Sequence, residues 1–323
     1  MKPNYIEGLS IVIPSYNREK QLCRLLDSIF KEDISNLYEI VIIDNNSDYD
    51  IYEVTRKYTK PKLRVVHNVF NIHMATNMMT TFLQCKTKWM WIISDDDVVC
   101  KDALSIVKKK INKNSGACYL KFSTEGINNL GIEKNKDISN LEDFIDYYHN
   151  DKIIKRGNLA FISNGVFNLE ILYPYLGFGF EFSYTYIPCL IPVFMSLNSN
   201  IPMMFCEEKI IEYKHPGNTT WSFSKVGLGL SSLSHLPLKL SNSYFKKFLN
   251  ISMLVTYDRM IKYFIINEIN DSKKLYNMIY NNIYQYYLTP YQKVKSFIFS
   301  ILLILPPKLK RIILKLYRKK YFK

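Results

Sequence analysis

The sequence lacks the paired cysteines that hold together small secreted domains and zinc sites. Its six cysteines are scattered, and none belongs to a C-x-x-C pair. This spacing predicts neither a disulfide framework nor a zinc site, so we expect a reducing compartment. A signal peptide is also missing, because the first apolar run, Leu9–Ile13, is too short to be one. We therefore expect a protein of the cytoplasm.

Two nucleotide-binding motifs and a membrane span are absent as well. The chain contains neither G-x-G-x-x-G nor G-x-x-x-x-G-K-[ST], which argues against a dinucleotide-dependent dehydrogenase and a P-loop NTPase. The apolar run Phe297–Leu305 has nine residues, whereas a transmembrane helix needs about 20. The chain is thus not expected to cross a membrane.

Acidic residues are missing from Ser272 to Lys323, and this segment carries most of the net charge of +14. Near its end, apolar and basic side chains fall on opposite faces of one predicted helix: Leu309, Ile312, Ile313 and Leu316 against Arg311, Lys315, Arg318 and Lys319. This pattern is typical of a helix lying on an anionic membrane surface. The alternative is a helix packed on the protein's own core. A basic tail on a nearly neutral body does not indicate nucleic-acid binding.

The body of the chain alternates predicted strands and helices. Of its 323 residues, 48% are hydrophobic and 15% aromatic, as in a globular protein. Apolar runs predict strands at 9–14, 38–44, 63–67 and 89–93, with helices between them, including 75–84 and 101–110. This order predicts an α/β fold with a mostly parallel sheet flanked by helices.

The remaining segments are harder to assign from periodicity. We expect a loop over 123–140, a helix over 141–148 capped by Ser139, and a strand over 209–213. Apolar helices are predicted over 241–266 and 275–288. The expected organisation is a domain over 1–222 followed by a helical C-terminal region over 223–323.

Three consecutive aspartates, Asp95, Asp96 and Asp97, follow the predicted strand at 89–93. Adjacent carboxylates repel one another, and a divalent cation would neutralise them. The alternative is an acidic turn that stabilises the N-terminus of the next helix. Polar clusters also end the first two strands, at Ser15–Arg18 and Asp44–Ser47. Parallel strands present their carboxyl ends at one edge, so the three turns should converge on a nucleotide-sized site.

At these motifs the chain resembles a family-two glycosyltransferase with the GT-A fold. The matching stretches are Ser10–Arg18, Ile40–Asp48 and Ile93–Asp97, with Asn77 and Cys85–Trp91 between them. The resemblance implies that Pro14, Tyr16, Asn17, Arg18, Asp44, Asn45 and Asn77 contact the nucleotide sugar and that Asp95 faces the ribose. It also implies that Asp96 and Asp97 hold Mn²⁺ or Mg²⁺ on the diphosphate. Asn45 departs from the family, which often has Asp there.

A sugar transfer with inversion needs a carboxylate that deprotonates the acceptor hydroxyl. Glu181 lies between phenylalanines, and apolar surroundings would raise its pKa and suit it to this role. The alternative is an exposed glutamate; Asp146 and Glu170 are weaker candidates. His215, in the stretch Tyr213–Trp221, is a candidate for a further metal ligand or, with Lys214, for a contact to the leaving diphosphate.

The combined prediction is an inverting, divalent-metal-dependent glycosyltransferase at the cytoplasmic face of a bacterial membrane. Its partners would be a nucleotide-sugar donor and a lipid-linked or surface-glycan acceptor, as in O-antigen, capsule or lipooligosaccharide synthesis. The alternatives are a non-catalytic membrane-associated nucleotide-binding scaffold and an enzyme like the sugar-nucleotide pyrophosphorylases. The pyrophosphorylase would need a glycine-rich basic loop after the first strand, which Pro14–Arg18 does not provide.

Overall fold

The computed structural model describes residues 3–58, 62–125, 132–149, 156–214, 229–252, 272–306 and 309. The chain divides into two compact units, Met1–Thr219 and Thr220–Lys323. The predicted domains, with their functional assignments, stay a prediction.

The first unit is built around a single mixed sheet. In its described part, nine strands are hydrogen-bonded in the order β3-β2-β1-β4-β8-β6-β9-β5, and β7 pairs with β9. The strands are β1 (Ile6–Ser15), β2 (Ile40–Asp44), β3 (Leu63–His67), β4 (Thr87–Ile92), β5 (Val98–Val99), β6 (Tyr119–Glu125), β7 (Lys136–Ile138), β8 (Gly165–Asn168) and β9 (Met203–Glu212).

Parallel strands form one half of this sheet. The pairs β1–β2, β2–β3 and β1–β4 are parallel, whereas β8 is antiparallel to both of its neighbours, β4 and β6. Every residue of β2 is buried, as expected when helices cover both faces of a parallel sheet. The expected α/β fold is confirmed, and the antiparallel direction of β8 is a feature that the sequence pattern did not indicate.

The helices of the first unit follow the strands as predicted. Helix α1 (Glu19–Ile29) buries an apolar stripe against the sheet, at Leu22, Leu25, Leu26 and Ile29. The others are α2 (Ile51–Arg56), α3 (Met74–Gln84), α4 (Ala103–Lys113), α5 (Leu141–His149), α6 (Arg156–Ala160), α7 (Leu169–Leu172), α8 (Leu176–Glu181) and α9 (Ile191–Leu197).

Two local predictions are wrong. The segment 123–140 is not a loop throughout, because β6 extends to Glu125 and β7 lies within it. Helix α5 is capped by Asn140, whose side-chain oxygen accepts from the Asp143 N–H at 3.0 Å, and not by Ser139. Polar residues are tolerated in β6 because groups from other segments satisfy them. The Ser123 hydroxyl accepts from the Glu133 backbone N–H at 2.7 Å, and the Thr124 hydroxyl donates to Asn158 Oδ1 at 3.1 Å, which no local pattern reveals.

The second unit is helical in its described part. It contains α10 (Asn242–Ser252), α11 (Ser272–Ile279), α12 (Gln285–Tyr287) and α13 (Pro290–Leu302), with a π-helical turn between α11 and α12. The predicted basic helix beyond Leu309 and part of the predicted helix 241–266 lie outside the described residues. No helix in the described ranges combines the length and the apolar character needed to cross a bilayer.

Candidate active site

The site forms where three parallel strands end side by side. Ser15, the last residue of β1, is paired with Asp44, the last residue of β2, and Asp44 is paired with His67 at the end of β3. Strand β4 runs parallel on the other side of β1, and the three aspartates follow its end. The predicted convergence of the polar turns is therefore confirmed for the turns that follow β1, β2 and β4.

Asp95 is tied to the turn after β1 by three donors. Its Oδ2 atom accepts from the Ser15 hydroxyl at 2.9 Å and from the Tyr16 N–H at 3.3 Å. Its Oδ1 atom lies 3.0 Å from Arg18 Nη1. Burial raises the pKa of Asp95 to about 6, although Arg18 opposes this shift.

Asp96 and Asp97 are hydrogen-bonded by side chains from different segments of the chain. Arg18 Nη1 also reaches Asp96 Oδ2, and the Ser94 hydroxyl donates to Asp96 Oδ1 at 2.7 Å. Asp97 is 1% exposed, and its Oδ2 accepts from the Ser163 hydroxyl at 2.6 Å. Burial raises the pKa of Asp97 to about 8, which the hydrogen bond from Ser163 only partly offsets.

The donor set fits a hard divalent cation. The Arg18 guanidinium contacts two of the three carboxyl groups, those of Asp95 and Asp96. A cation bound by Asp96 and Asp97 would favour their charged forms and offset their mutual repulsion. Over the part of the chain that the structure describes, no three His, Cys, Asp or Glu side chains are arranged as a complete metal site. Mg²⁺ and similar ions are commonly held by one or two carboxylates, with phosphate and water completing the shell. Asp96 and Asp97 could supply that share.

The turn after β2 is organised by Asp44, which is fully buried. Its Oδ1 accepts from the Ser47 hydroxyl at 2.5 Å, and its Oδ2 lies 2.7 Å from His67 Nδ1. The turn after β1 joins it through Asn17, whose N–H donates to Ser47 Oγ at 2.9 Å. A role for Asp44 in contacting the base stays a prediction, while His67, with a side chain 42% exposed, is a polar group that the sequence analysis missed.

Asn45 belongs to a network of asparagine side chains. Its oxygen accepts from Asn68 Nδ2 and from the Ile72 N–H, both at 3.0 Å, and its amide donates to Asn71 Oδ1 at 2.9 Å. Asn68 Nδ2 also donates to Asn77 Oδ1 at 2.9 Å. Asn45 and Asn77 thus join the end of β2 to the start of α3, and their predicted contact with the nucleotide stays a prediction.

The surface of the site is provided by the turn after β1. The Tyr16 side chain is exposed, its backbone N–H bonds Asp95, and Pro14 lies just before it near the end of β1. Asn17 adopts a left-handed conformation with φ 53° and donates to Asp48 Oδ2 at 2.7 Å. An exposed aromatic ring in the same turn that contacts the buried carboxyl groups can offer a stacking surface.

A buried polar network lies behind Ser163. Lys121 is 1% exposed and donates to the Phe161 carbonyl at 2.5 Å. Asn158 donates to Glu133 Oε1 at 2.5 Å, and the oxygen of Asn158 accepts from Asn164 at 2.7 Å. Burial lowers the pKa of Lys121 to about 7. These hydrogen bonds hold the segment 158–164 in place, and this segment contains Ser163, which bonds Asp97.

The two remaining predicted residues are less well supported by the structure. Glu181 is exposed at the last position of α8, so the expectation of apolar surroundings is wrong; its role as the base stays a prediction. His215 lies outside the described residues, although the preceding Lys214 donates its N–H to Asp97 Oδ1 at 3.4 Å. Of the weaker candidates, Glu170 pairs with Lys88 at 3.5 Å.

The segment that carries these polar strand ends also matches a known protein family. Residues 10–167 match the family model described as glycosyl transferase family 2. This segment is a family-2 glycosyltransferase domain. It contains the turns after β1, β2 and β4, the Asp95–Asp97 cluster and Ser163.

Curated relatives match parts of the chain. An uncharacterized glycosyltransferase of Haemophilus influenzae is 30% identical over 110 residues, which are 33% of this chain and 36% of that protein. The GalNAc(5)-diNAcBac-PP-undecaprenol β-1,3-glucosyltransferase of Campylobacter jejuni is 25% identical over 50% of this chain and 55% of its own. The abequosyltransferase RfbV of Salmonella typhimurium is 29% identical over 33% of each. The chain thus spans about a third to half of the length of these relatives.

The fold is shared with a solved glycosyltransferase structure. The family-2 domain and its C-terminal region resemble TarS residues 1–349 of Staphylococcus aureus in complex with UDP, with a TM-score of 0.63 and 17% identity, over 97% of this chain and 87% of TarS. The complex of the same protein with UDP-GlcNAc gives a TM-score of 0.62 at 14% identity, over 85% of this chain and 80% of TarS. At this identity the likeness concerns the fold, and it identifies the fold as GT-A.

Proposed function

We propose that the protein is an inverting, divalent-metal-dependent glycosyltransferase that uses a nucleotide-sugar donor. The observation that supports this most is the joining of two distant turns: Ser15 and Arg18 after β1 hold Asp95 and Asp96 after β4. This arrangement lies within the family-2 domain, and Tyr16, in the same turn as Arg18, has an exposed side chain.

In this proposal the donor lies along the carboxyl ends of the strands. The base stacks on Tyr16 near Pro14, Asn17 and the Asp44–Asn45 turn, and the ribose faces Asp95. Asp96 and Asp97 hold Mn²⁺ or Mg²⁺, which would offset the negative charge that develops on the diphosphate as it leaves. Arg18 contacts both Asp95 and Asp96, so it can move towards the phosphates when a cation takes over their neutralisation.

The transfer itself is a single displacement. The acceptor hydroxyl oxygen attacks the anomeric carbon, its proton passes to a carboxylate, and the bond to the nucleoside diphosphate breaks. Glu181 is the proposed proton acceptor: it is an exposed carboxylate at the end of α8, and a general base contributes about 10²–10⁴ in rate.

A lipid-linked or surface glycan is the proposed acceptor. The name of one relative supports this class, because it is a glucosyltransferase for an undecaprenol-linked glycan. The absence of acidic residues over 272–323 fits a peripheral enzyme at the cytoplasmic face of a bacterial membrane, serving O-antigen, capsule or lipooligosaccharide synthesis.

The direct test is thermal stabilisation of the purified protein by UDP, dTDP, GDP and CDP, each with and without Mn²⁺. A ligand at about 100 times its Kd adds roughly 2.7 kcal/mol, which is a readable shift in Tm. We expect one nucleotide to stabilise the protein in a metal-dependent way, and Asp96→Asn to abolish that shift. Asp137→Asn, an exposed aspartate on β7, is the matched control and should respond like the wild type.

The other outcomes separate the alternatives. No shift with any nucleotide, in protein shown to be folded, would contradict the proposal. Metal-dependent nucleotide binding without any hydrolysis or transfer of the matching nucleotide sugar would instead indicate the non-catalytic scaffold.

A further inference from the structure

The second unit carries an exposed apolar surface on its last described helix. Five side chains of α13 (Pro290–Leu302) form this surface, which we call the α13 apolar face: Tyr291, Val294, Phe297, Ile298 and Ile301. They are between 42% and 68% exposed. Spacings of three and four residues place them on one side of the helix. Ile304, 56% exposed, continues the surface beyond the helix end.

The opposite side of α13 is packed, so the direction of this face is set by local structure. Ser296, Phe299 and Leu303 are buried. The Phe299 ring meets Tyr276 of α11 edge to face, with ring centroids 5.1 Å apart, and the Tyr276 hydroxyl contacts the Ser296 hydroxyl. The helix also begins with a capping box between Thr289 and Gln292, which fixes its first turn.

Positive charge surrounds the apolar face. Lys293 and Lys295 follow Tyr291 on the two flanks of the exposed stripe, and Lys295 Nζ lies 4.6 Å from the centre of the Tyr291 ring. From Ser272 to Lys323 the sequence contains twelve Lys and Arg residues and no Asp or Glu. Apolar side chains flanked by lysines match the boundary between acyl chains and anionic headgroups.

A second copy of the chain suits this face less well. A symmetric contact would bring the lysines of both copies together, with no acidic residue in the segment to compensate, and such like-charge contacts oppose association. We propose that the α13 apolar face inserts into the surface of an anionic lipid bilayer, with Lys293 and Lys295 at the headgroups. This inference rests on the proposed function, because a lipid-linked acceptor requires the enzyme at that surface.

The test is co-sedimentation of the full-length protein with vesicles of equimolar phosphatidylglycerol and phosphatidylcholine, at low and at high salt. High salt screens the purely electrostatic attraction of the C-terminal basic residues, so the binding that remains reports apolar contact. We expect the wild type to retain vesicle binding at high salt. The double variant Phe297→Ser/Ile301→Ser should lower the partition coefficient for vesicles at high salt at least about tenfold.

A matched control removes exposed apolar side chains elsewhere. Tyr52→Ser/Leu83→Ser replaces residues that are 57% and 63% exposed in the first unit, and it should bind vesicles like the wild type. Lys293→Gln/Lys295→Gln should weaken binding severalfold at low salt and change it little at high salt. Vesicles of phosphatidylcholine alone should bind the wild type less.

Three outcomes would overturn the inference. They are equal high-salt binding by the wild type and the Phe297→Ser/Ile301→Ser variant, no vesicle binding by the wild type, and a wild-type dimer that this variant converts to a monomer. The last would identify a second copy as the occupant. Nucleotide-dependent thermal shifts measured on the same preparations report on the catalytic proposal separately, since the residues named for the proposed nucleotide site all belong to the first unit.

Discussion

Single residues in the site are constrained mainly by burial. Asp95 and Asp97 are buried carboxyl groups whose pKa values rise to about 6 and about 8. Each has hydroxyl or guanidinium donors that limit the cost of desolvation. The donors come from distant segments of the chain. Ser15 is 80 residues away from Asp95 in the sequence, and Ser163 is 66 residues away from Asp97. The positions of these carboxylates therefore depend on the neighbouring hydroxyl groups.

Ser163→Ala tests this dependence. The substitution removes the donor to Asp97 Oδ2 at 2.6 Å and the acceptor of the Ser94 N–H at 2.9 Å. Groups that orient a metal ligand typically contribute about 10–100-fold to metal affinity or activity. We expect the affinity for the Mn²⁺–nucleotide pair to fall by about that factor, as measured by calorimetric titration. Ser35→Ala, at an exposed serine, is the control, and equal affinities in the two variants would contradict the role of Ser163.

Lys121 makes stability depend on pH. Its pKa falls from 10.5 to about 7 in the folded protein because of burial. Between these values the unfolded chain binds more protons than the folded one, so stability rises with pH from about 7 towards 10. For a single group the slope is at most about 1.4 kcal/mol per pH unit. Below pH 7 both states are protonated and this contribution no longer changes.

The variant Lys121→Met separates the contribution of Lys121 to the pH dependence of stability from that of other groups. The free energy of unfolding of the wild type should rise between pH 7 and pH 9 relative to that of the variant, as measured by urea unfolding at both pH values. Lys109→Met, at an exposed lysine of α4, should give a curve parallel to the wild type. If the wild type and Lys121→Met curves run parallel, Lys121 keeps its proton throughout this range.

At the scale of secondary-structure elements, the site depends on how helices pack behind the strands. Helix α3 begins at the asparagine network and packs against α8, where Gly179 lies beside Met79 of α3 and Pro192 of α9. A Cβ atom at Gly179 would come within 2.5 Å of Met79 Cε and 3.2 Å of Pro192 Cγ. A side chain at this position therefore requires the end of the Met79 side chain to move.

Two glycines of α8 form a matched pair for testing this packing. Gly179→Ala should destabilise the protein by roughly 1–3 kcal/mol through overpacking. A Cβ atom at Gly177 would have no heavy atom of another residue within 4 Å, so Gly177→Ala should stabilise the helix by up to about 1 kcal/mol. The midpoints of urea unfolding should therefore move in opposite directions. Equal shifts would indicate that Met79 yields without cost.

At the scale of the whole molecule, charge and chemistry are separated along the chain. The residues of the proposed nucleotide site lie in the first unit, whereas the segment without acidic residues lies in the second. All six cysteines are free thiols, and four of them are buried. Neither unit depends on a disulfide, so the stability of the described structure comes from packing and hydrogen bonds.

The sequence by itself determined the first four strands, their helices and the polar turns. Apolar periodicity and turn chemistry are local properties, and they predicted β3 at 63–67 as it is found. They also predicted that Ser15, Asp44 and Asp95 would lie at one edge, because parallel strands end on the same side. The aspartate triplet could also be recognised locally, because the sequence changes abruptly from apolar to acidic residues after β4.

Only the tertiary structure decided which groups hold these residues. Ser163, His67 and Lys121 contact partners far away in the sequence. No local pattern distinguishes a serine that bonds Asp97 from one in an ordinary turn. The same holds for Glu181, whose phenylalanine neighbours predicted burial although the helix direction exposes it. Periodicity reveals which face of an element is apolar, whereas contacts between distant elements depend on how the chain packs as a whole.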